Sequence, residues 1–400
     1  MARATAARQP SHPQRREIAR YLLSRGLDDQ TLVPSAAVLN AAAAAPKIAF
    51  PDGLAPQPIP PPANWDPDSP LPAADVVVIT WTVDELAGLA RVFTPGHSAA
   101  KWARYAHNYA SKFAPLIRPS APSATSKRLG SFQLVTVAGL RVLCMKSELH
   151  LNQDSIKTGT GTATLPVKDL FLQIIAEAAP QYLFTVGTAG SVFDDFQLGD
   201  VVVTRAAKFR LTQEFRNEPF NGVSYRSDWP IPTDRLDTAQ QLMAGFADDV
   251  IEPPFAPPTT AFPFPGPPIV SSPANTPDIK LEQGARDMPE FHPILTTDYF
   301  EYGTTVNRLD TEGAAVEMGD AALGLAASEL ANPPKWAVVR NMSDPVINGA
   351  LPAKQYKLNE QTTWAVGYYT AYGEWTSTIG ALATWGIIAA IAEANGRPQP

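Results

Sequence analysis

The 400-residue chain reads as an α/β protein, a sheet covered by helices on both faces. Three observations carry this reading. Short β-branched runs recur, such as DVVVIT at Asp75–Thr80, Val201–Thr204 and WAVVR at Trp336–Arg340. They are apolar throughout rather than alternating, as strands buried on both faces are. Segments with apolar residues at helical spacing stand between them. Finally, 45% hydrophobic residues against 18% charged is a globular composition, enough for one large domain or two.

Residues 1–72 are rich in Ala, Arg and Pro, with one short helical candidate at Glu17–Arg25. Within them Pro56–Pro72 reads as an extended connector of polyproline type. Regular structure then begins with the Asp75–Thr80 strand. Helices are expected at Glu85–Val92 and Ala99–Leu116, and a hairpin at Gln133–Val137 and Arg141–Met145 around Ala138-Gly139. Leu165–Ala178 has helical periodicity, Leu183–Val186 and Val201–Thr204 read as strands, Val316–Leu330 as a helix and Trp336–Arg340 as a strand. A second proline cluster, Pro253–Pro277, reads as a surface insertion near residues 250–293 inside one domain spanning 73–395. Trp375–Ala392 carries no charge and has about the minimum length of a membrane span. Its Thr, Ser and Gly content favours a buried helix over a membrane or interfacial one.

Bulk properties narrow the function. A net charge of −7 argues against nucleic-acid binding as the main task. The Arg-bearing N-terminus has no apolar run of a signal peptide behind it. A single cysteine, Cys144, cannot make an internal disulfide, and it fits a reducing, cytoplasmic setting. In its apolar run it reads as a small buried hydrophobe rather than a nucleophile. His97, His107, His150 and His292 lack metal-ligand spacing, and no cofactor is called for.

Ligands of such sheets bind beyond the carboxyl ends of strands. Three polar groups fall there: Thr82–Glu85, the small-residue loop Gly187-Thr188-Ala189-Gly190, and Arg340–Asp344, with Glu317–Asp320 upstream of the third. Asp84 and Asp320 also read as acids of a helix N-cap or first turn, and Asp344, followed by Pro345, as an N-cap.

Together these pieces resemble the superfamily of purine nucleoside phosphorylases and methylthioadenosine/S-adenosylhomocysteine nucleosidases. The resemblance covers about residues 73–245 and 294–395. It is carried by VVVITWTVDEL (Val76–Leu86), TVGTAGSVFDDFQLGDVVV (Thr185–Val203), TTDYF (Thr296–Phe300), AVEMGDAA (Ala315–Ala322) and VVRNMSD (Val338–Asp344). It implies a single mixed, twisted sheet flanked by helices, a nucleoside substrate and a homo-oligomer. It also implies roles: Glu85 activates the water that attacks C1′, and Asp344, positioned by Ser343, hydrogen-bonds or protonates purine N7. Phe300 packs on the base and Met318 on the ribose, Thr188, Ala189 and Gly190 line the ribose, and Glu317 and Arg340 complete the site. Phosphorylases of this kind need arginines for the phosphate dianion. Where they carry them this chain has Thr80-Trp81-Thr82-Val83 and Thr185, so hydrolysis is expected ahead of phosphorolysis. One departure stands out: the family's Glu-Met-Glu, whose second Glu grips the ribose hydroxyls, is Glu317-Met318-Gly319 here. Asp320, Glu301 or Glu317 takes over that contact, or the sugar is not an ordinary riboside, or the chain binds nucleosides without turning them over.

Overall fold

The computed structural model describes residues 47–62, 64–158, 160–249, 268–281, 292–353 and 359–396. The helical candidate Glu17–Arg25, the N-terminal arginines and residues 253–267 of the second proline cluster lie outside them.

Among the described residues the core is a mixed sheet of thirteen strands. Its first edge is β1 (Gln57–Ile59), antiparallel to β4 (Gly130–Val137). The connector expected at Pro56–Pro72 is therefore partly an edge strand, a place where proline is tolerated. β4 turns through Ala138 and Gly139, both at positive φ, into β5 (Leu140–Ser147), as the expected hairpin requires. Beside β5 lies β2 (Val76–Thr80), and next to that the ten-residue β6 (Tyr182–Ser191), both pairings parallel. β6 also pairs in parallel with β13 (Lys335–Asp344), which is antiparallel to β7 (Val201–Thr204). The far edge is built from β8 (Ala206–Phe209), β9 (Ser224–Arg226), β11 (Ile294–Thr296) and β12 (Ala315–Glu317). β10 (Ile279–Leu281) pairs with β7, so part of the range read as an insertion belongs to the sheet.

Helices cover both faces. α1 (Val83–Phe93) and α3 (Leu236–Ala247) pack on α5 (Glu360–Ala394) on one face, and α2 (Pro166–Ala178) packs on α4 (Ala321–Ser328) on the other. Two apolar cores result, one under α5 and one under α2 and α4. α5 is long and apolar enough to cross a membrane by length and composition, yet its most apolar stretch is wholly buried within the protein. Cys144 is fully buried in β5, and burial pushes its thiol up, away from reactivity.

Four sequence expectations need correction. Ala99–Leu116 is not one helix. Ala103–Tyr105 forms β3 on the edge of β4, Asn108 turns the chain at φ 60°, and short helical turns follow at Tyr109–Phe113 and Ala114–Leu116. Tyr105, Tyr109 and Phe113 are still core residues. Val316–Leu330 begins as β12, because Val316 and Glu317 pair with β11, and helix starts only at Ala321. Gly187–Gly190 is not a loop but the second half of β6, and Arg340–Asp344 lies within β13 rather than past its end. In both, a strand continues through small or polar residues because a long partner is there to pair with it.

Candidate active site

The site exists because β6 changes partner along one edge. Up to Thr185 that edge pairs with β2, and from Gly190 it pairs with β12. Between the two, side chains take the place of a strand. The Thr188 N–H donates to Glu85 Oε1 at 2.8 Å, and the Thr188 carbonyl accepts from Arg340 Nη1 at 3.2 Å. All ten residues singled out in the sequence, from Glu85 to Asp344, line one cavity of about 310 Å³ at this gap. That is the lower end of the size range of small-molecule sites.

Glu85 comes from the first turn of α1. It is the third helical residue of a capping box: Thr82 Oγ1 accepts from Glu85 N, and Glu85 Oε2 accepts from Thr82 N at 2.8 Å. Oε2 also accepts from Trp81 N at 2.9 Å and Thr80 Oγ1 at 3.0 Å, while Oε1 accepts from both N and Oγ1 of Thr188. Burial raises the cost of its charge, but Arg340, 3.7 Å away, and the Thr82, Thr188 and Trp81 amides outweigh it. Its pKa therefore ends up below the ordinary carboxylate range, and it stays anionic.

Arg340 sits inside β13 and is 2% exposed. Its fork binds Asp320, Nε to Oδ2 at 2.7 Å and Nη2 to Oδ1 at 2.5 Å, and Nη2 reaches Glu317 Oε2 at 3.2 Å. Burial opposes its charge, yet Asp320, Glu317 and Glu85 hold it firmly protonated. Asp320 does occupy the N-cap position of α4, but its side chain makes no capping hydrogen bond and serves Arg340 instead. Glu317 accepts from Thr296 Oγ1, Gly319 N, Asp320 N and Arg340. Burial and the neighbouring Asp320 carboxylate push its pKa up against the pull of Arg340.

Asp344 contrasts with this cluster. No helix follows it, so the N-cap reading fails, and it closes β13. Oδ1 accepts from Ser343 Oγ at 3.0 Å, while Oδ2 is buried without a partner. Burial pushes its pKa to about 7, against a slight opposing pull from Ser343. The neutral acid is therefore the dominant form below neutrality.

Two glycines make room for these groups. A Cβ at Gly187 would overlap the Glu85 carboxylate and the Arg340 guanidinium, and one at Gly190 would come within 2.7 Å of Asp344 Oδ2. Gly187→Ala is expected to leave a folded protein with at least a tenfold loss of ligand affinity, read by calorimetry, because the displaced groups are the ones that shape the cavity.

The remaining walls include Glu301, an acid the sequence offered in place of the missing glutamate, and residues it did not assign to the site: Trp81, His150, Val316, Val366 and Tyr369. Trp81 lay within a quoted motif, and its place after a strand was the only available signal. Tyr369 and Val366 come from α5 and had none. Half-buried Phe300 stands 6.5 Å from Tyr369 between ring centroids, and Met318 is also half-buried. Among the described residues lining the cavity, Arg340 is the only lysine or arginine.

No family model matches this chain, and neither does any curated protein. Solved structures do. A futalosine hydrolase of Helicobacter pylori is 12% identical, with 96% of that chain and 78% of this one covered, at a TM-score of 0.41. A 5′-methylthioadenosine/S-adenosylhomocysteine nucleosidase of Neisseria meningitidis, in complex with methylthio-immucillin-A, is 15% identical over 99% of that chain and 79% of this one, also at 0.41. One from Colwellia psychrerythraea, in complex with adenine, is 15% identical over 96% and 78%, at 0.38.

Proposed function

We propose that this chain hydrolyses the N-glycosidic bond of a purine nucleoside or 5′-modified nucleoside and releases the free base. The observation that carries the reading is the division of labour between two buried carboxyls in one cavity. Asp344 holds its proton up to about pH 7, while Glu85 is kept anionic. Environments that separate two pKa values in this way mark an acid and an opposing charge.

In the reaction, the bond from C1′ to the base breaks and its electron pair moves onto the base. Asp344 gives its proton to N7 and so removes the developing negative charge. A water oxygen bonds to C1′ and its proton passes to Glu85 Oε1, which releases its bond from the Thr188 hydroxyl to take it. Proton exchange with solvent then restores both carboxyls. With its acidity enhanced, Glu85 is a weak base, so its main contribution is negative charge facing the cationic sugar. Thr188 fixes its direction, Ser343 that of Asp344, and Phe300 offers the base a ring face.

Water is favoured over phosphate as nucleophile. A phosphate dianion needs uncommitted charged donors. Arg340, the one Lys or Arg among the described lining residues, is already shared by three carboxylates. Incubating the purified protein with a panel of purine nucleosides and separating the products by chromatography tests the proposal. Free base should appear, and Glu85→Gln should slow its release by about 10²-fold or more. A panel with no base released removes the reading, and leaves a nucleoside-binding protein without turnover if thermal shift still detects binding.

A further inference from the structure

The wall of the cavity next to Glu85 is the indole of Trp81, and it is locked in place. Its Nε1–H donates to the Leu149 carbonyl at 3.0 Å, and its ring carries the Arg340 guanidinium at 5.2 Å. The edge of the Phe171 ring meets it with centroids 6.3 Å apart. Gly319 lies against the same indole, where a Cβ would sit 3.4 Å from Cζ2. This wall therefore presents carbon to whatever occupies the cavity. The carboxylates near it are committed to partners within the protein. Glu85 Oε2 accepts three hydrogen bonds and Oε1 two, and each Glu317 oxygen accepts two. A carboxylate offers about four lone-pair sites in all. Asp320 is held by the Nε and Nη2 edge of the Arg340 guanidinium, and both oxygens of Glu301 accept from Arg210 Nη1 at 2.6 Å. A vicinal diol is gripped by an acceptor that can take both hydroxyl protons. Asp320, Glu301 and Glu317, the three acids able to replace a carboxylate at position 319, are all engaged elsewhere.

Building on the glycosidase reading, we propose that the sugar lying on Trp81 lacks the vicinal diol, and that purine 2′-deoxynucleosides are the substrate class. Asp344 marks the base end of the cavity and Glu85 the C1′ end. Trp81 donates its own backbone N–H to Glu85, so the indole borders the sugar carbons next to C1′. A 2′-hydroxyl placed there would lose water and meet the carbon of the indole, while Asp320, Glu301 and Glu317 stay held by their own partners. An apolar wall rejects an added hydroxyl by about 10- to 100-fold.

Deoxyribosyl bonds also break more readily without any enzyme, so the discrimination must be read in binding. Calorimetry with 7-deaza-2′-deoxyadenosine and 7-deazaadenosine does this, because neither has the N7 that Asp344 would protonate. Steady-state kinetics on 2′-deoxyadenosine and adenosine supplies the second measurement. The expected result is a dissociation constant, or a KM, about 10- to 100-fold lower for the deoxy compound. Equal values, a tighter riboside, or an advantage confined to kcat would overturn the deoxy preference and leave the glycosidase reading standing. Base released from no nucleoside, with no binding of either analogue, would overturn both.

Discussion

Asp344→Asn is expected to lower kcat for base release by about 10²- to 10⁴-fold, with KM changed much less, because the amide cannot give N7 a proton. The pH dependence of the unmodified protein should report the same group. Asp344 acts in its neutral form, so kcat/KM should fall above its pKa of about 7, and stay level below that until Glu85 takes up a proton. Stability adds an independent readout. Between the ordinary 3.8 and about 7, the native state holds a proton that the unfolded chain has released. Stability therefore declines as pH rises through that window, by roughly 4 kcal/mol in all, and Asp344→Asn removes the decline. The variant should thus melt higher than the parent above pH 7 and close to it at low pH. A dead enzyme that is more stable excludes misfolding as the cause of lost activity. A variant with near-normal rate would remove Asp344 from the mechanism.

Arg340→Met is expected to cost about 3–5 kcal/mol of stability near neutral pH, measured as a shift in denaturant midpoint, together with all activity. The change strands Asp320, Glu317 and Glu85 in a site where each is at most 6% exposed. Without the cation, burial and mutual repulsion oppose the charged forms with nothing to offset them. The penalty is then absent at low pH, where all are protonated, and grows as pH rises through neutrality. Arg340→Lys should recover part of the stability and little of the activity. It restores one charge, but not the planar fork that spans Asp320, Glu317 and the Thr188 carbonyl.

How much of this was legible beforehand follows from what each residue's role depends on. β2, the first half of β6 and β13 stand out because central parallel strands are apolar on both faces, and that is a local property of the chain. The C-terminal helix stands out through composition and length, and its burial was favoured for the polar small residues it carries. Val316–Glu317, by contrast, looks helical beside Ala321–Ser328, and only its pairing with β11 and β6 makes it a strand. Tyr105 sits at helical spacing from Tyr109, yet belongs to an edge strand that exists because β4 offers a free edge. The ten site residues could be named from motifs, but their arrangement could not. The handover of β6 from β2 to β12 frees the Thr188 N–H that orients Glu85, and no local pattern encodes it. Trp81 was visible only as the residue after a strand. Its contacts with Gly319 and Arg340, from two distant motifs, turn it into a fixed wall of the cavity.

The most direct test of hydrolysis is product analysis in buffer stripped of phosphate, followed by titration with phosphate. Free base and free sugar in equal amounts, at a rate that added phosphate does not raise, is the expected result. Base release that requires phosphate and yields a sugar 1-phosphate would contradict it.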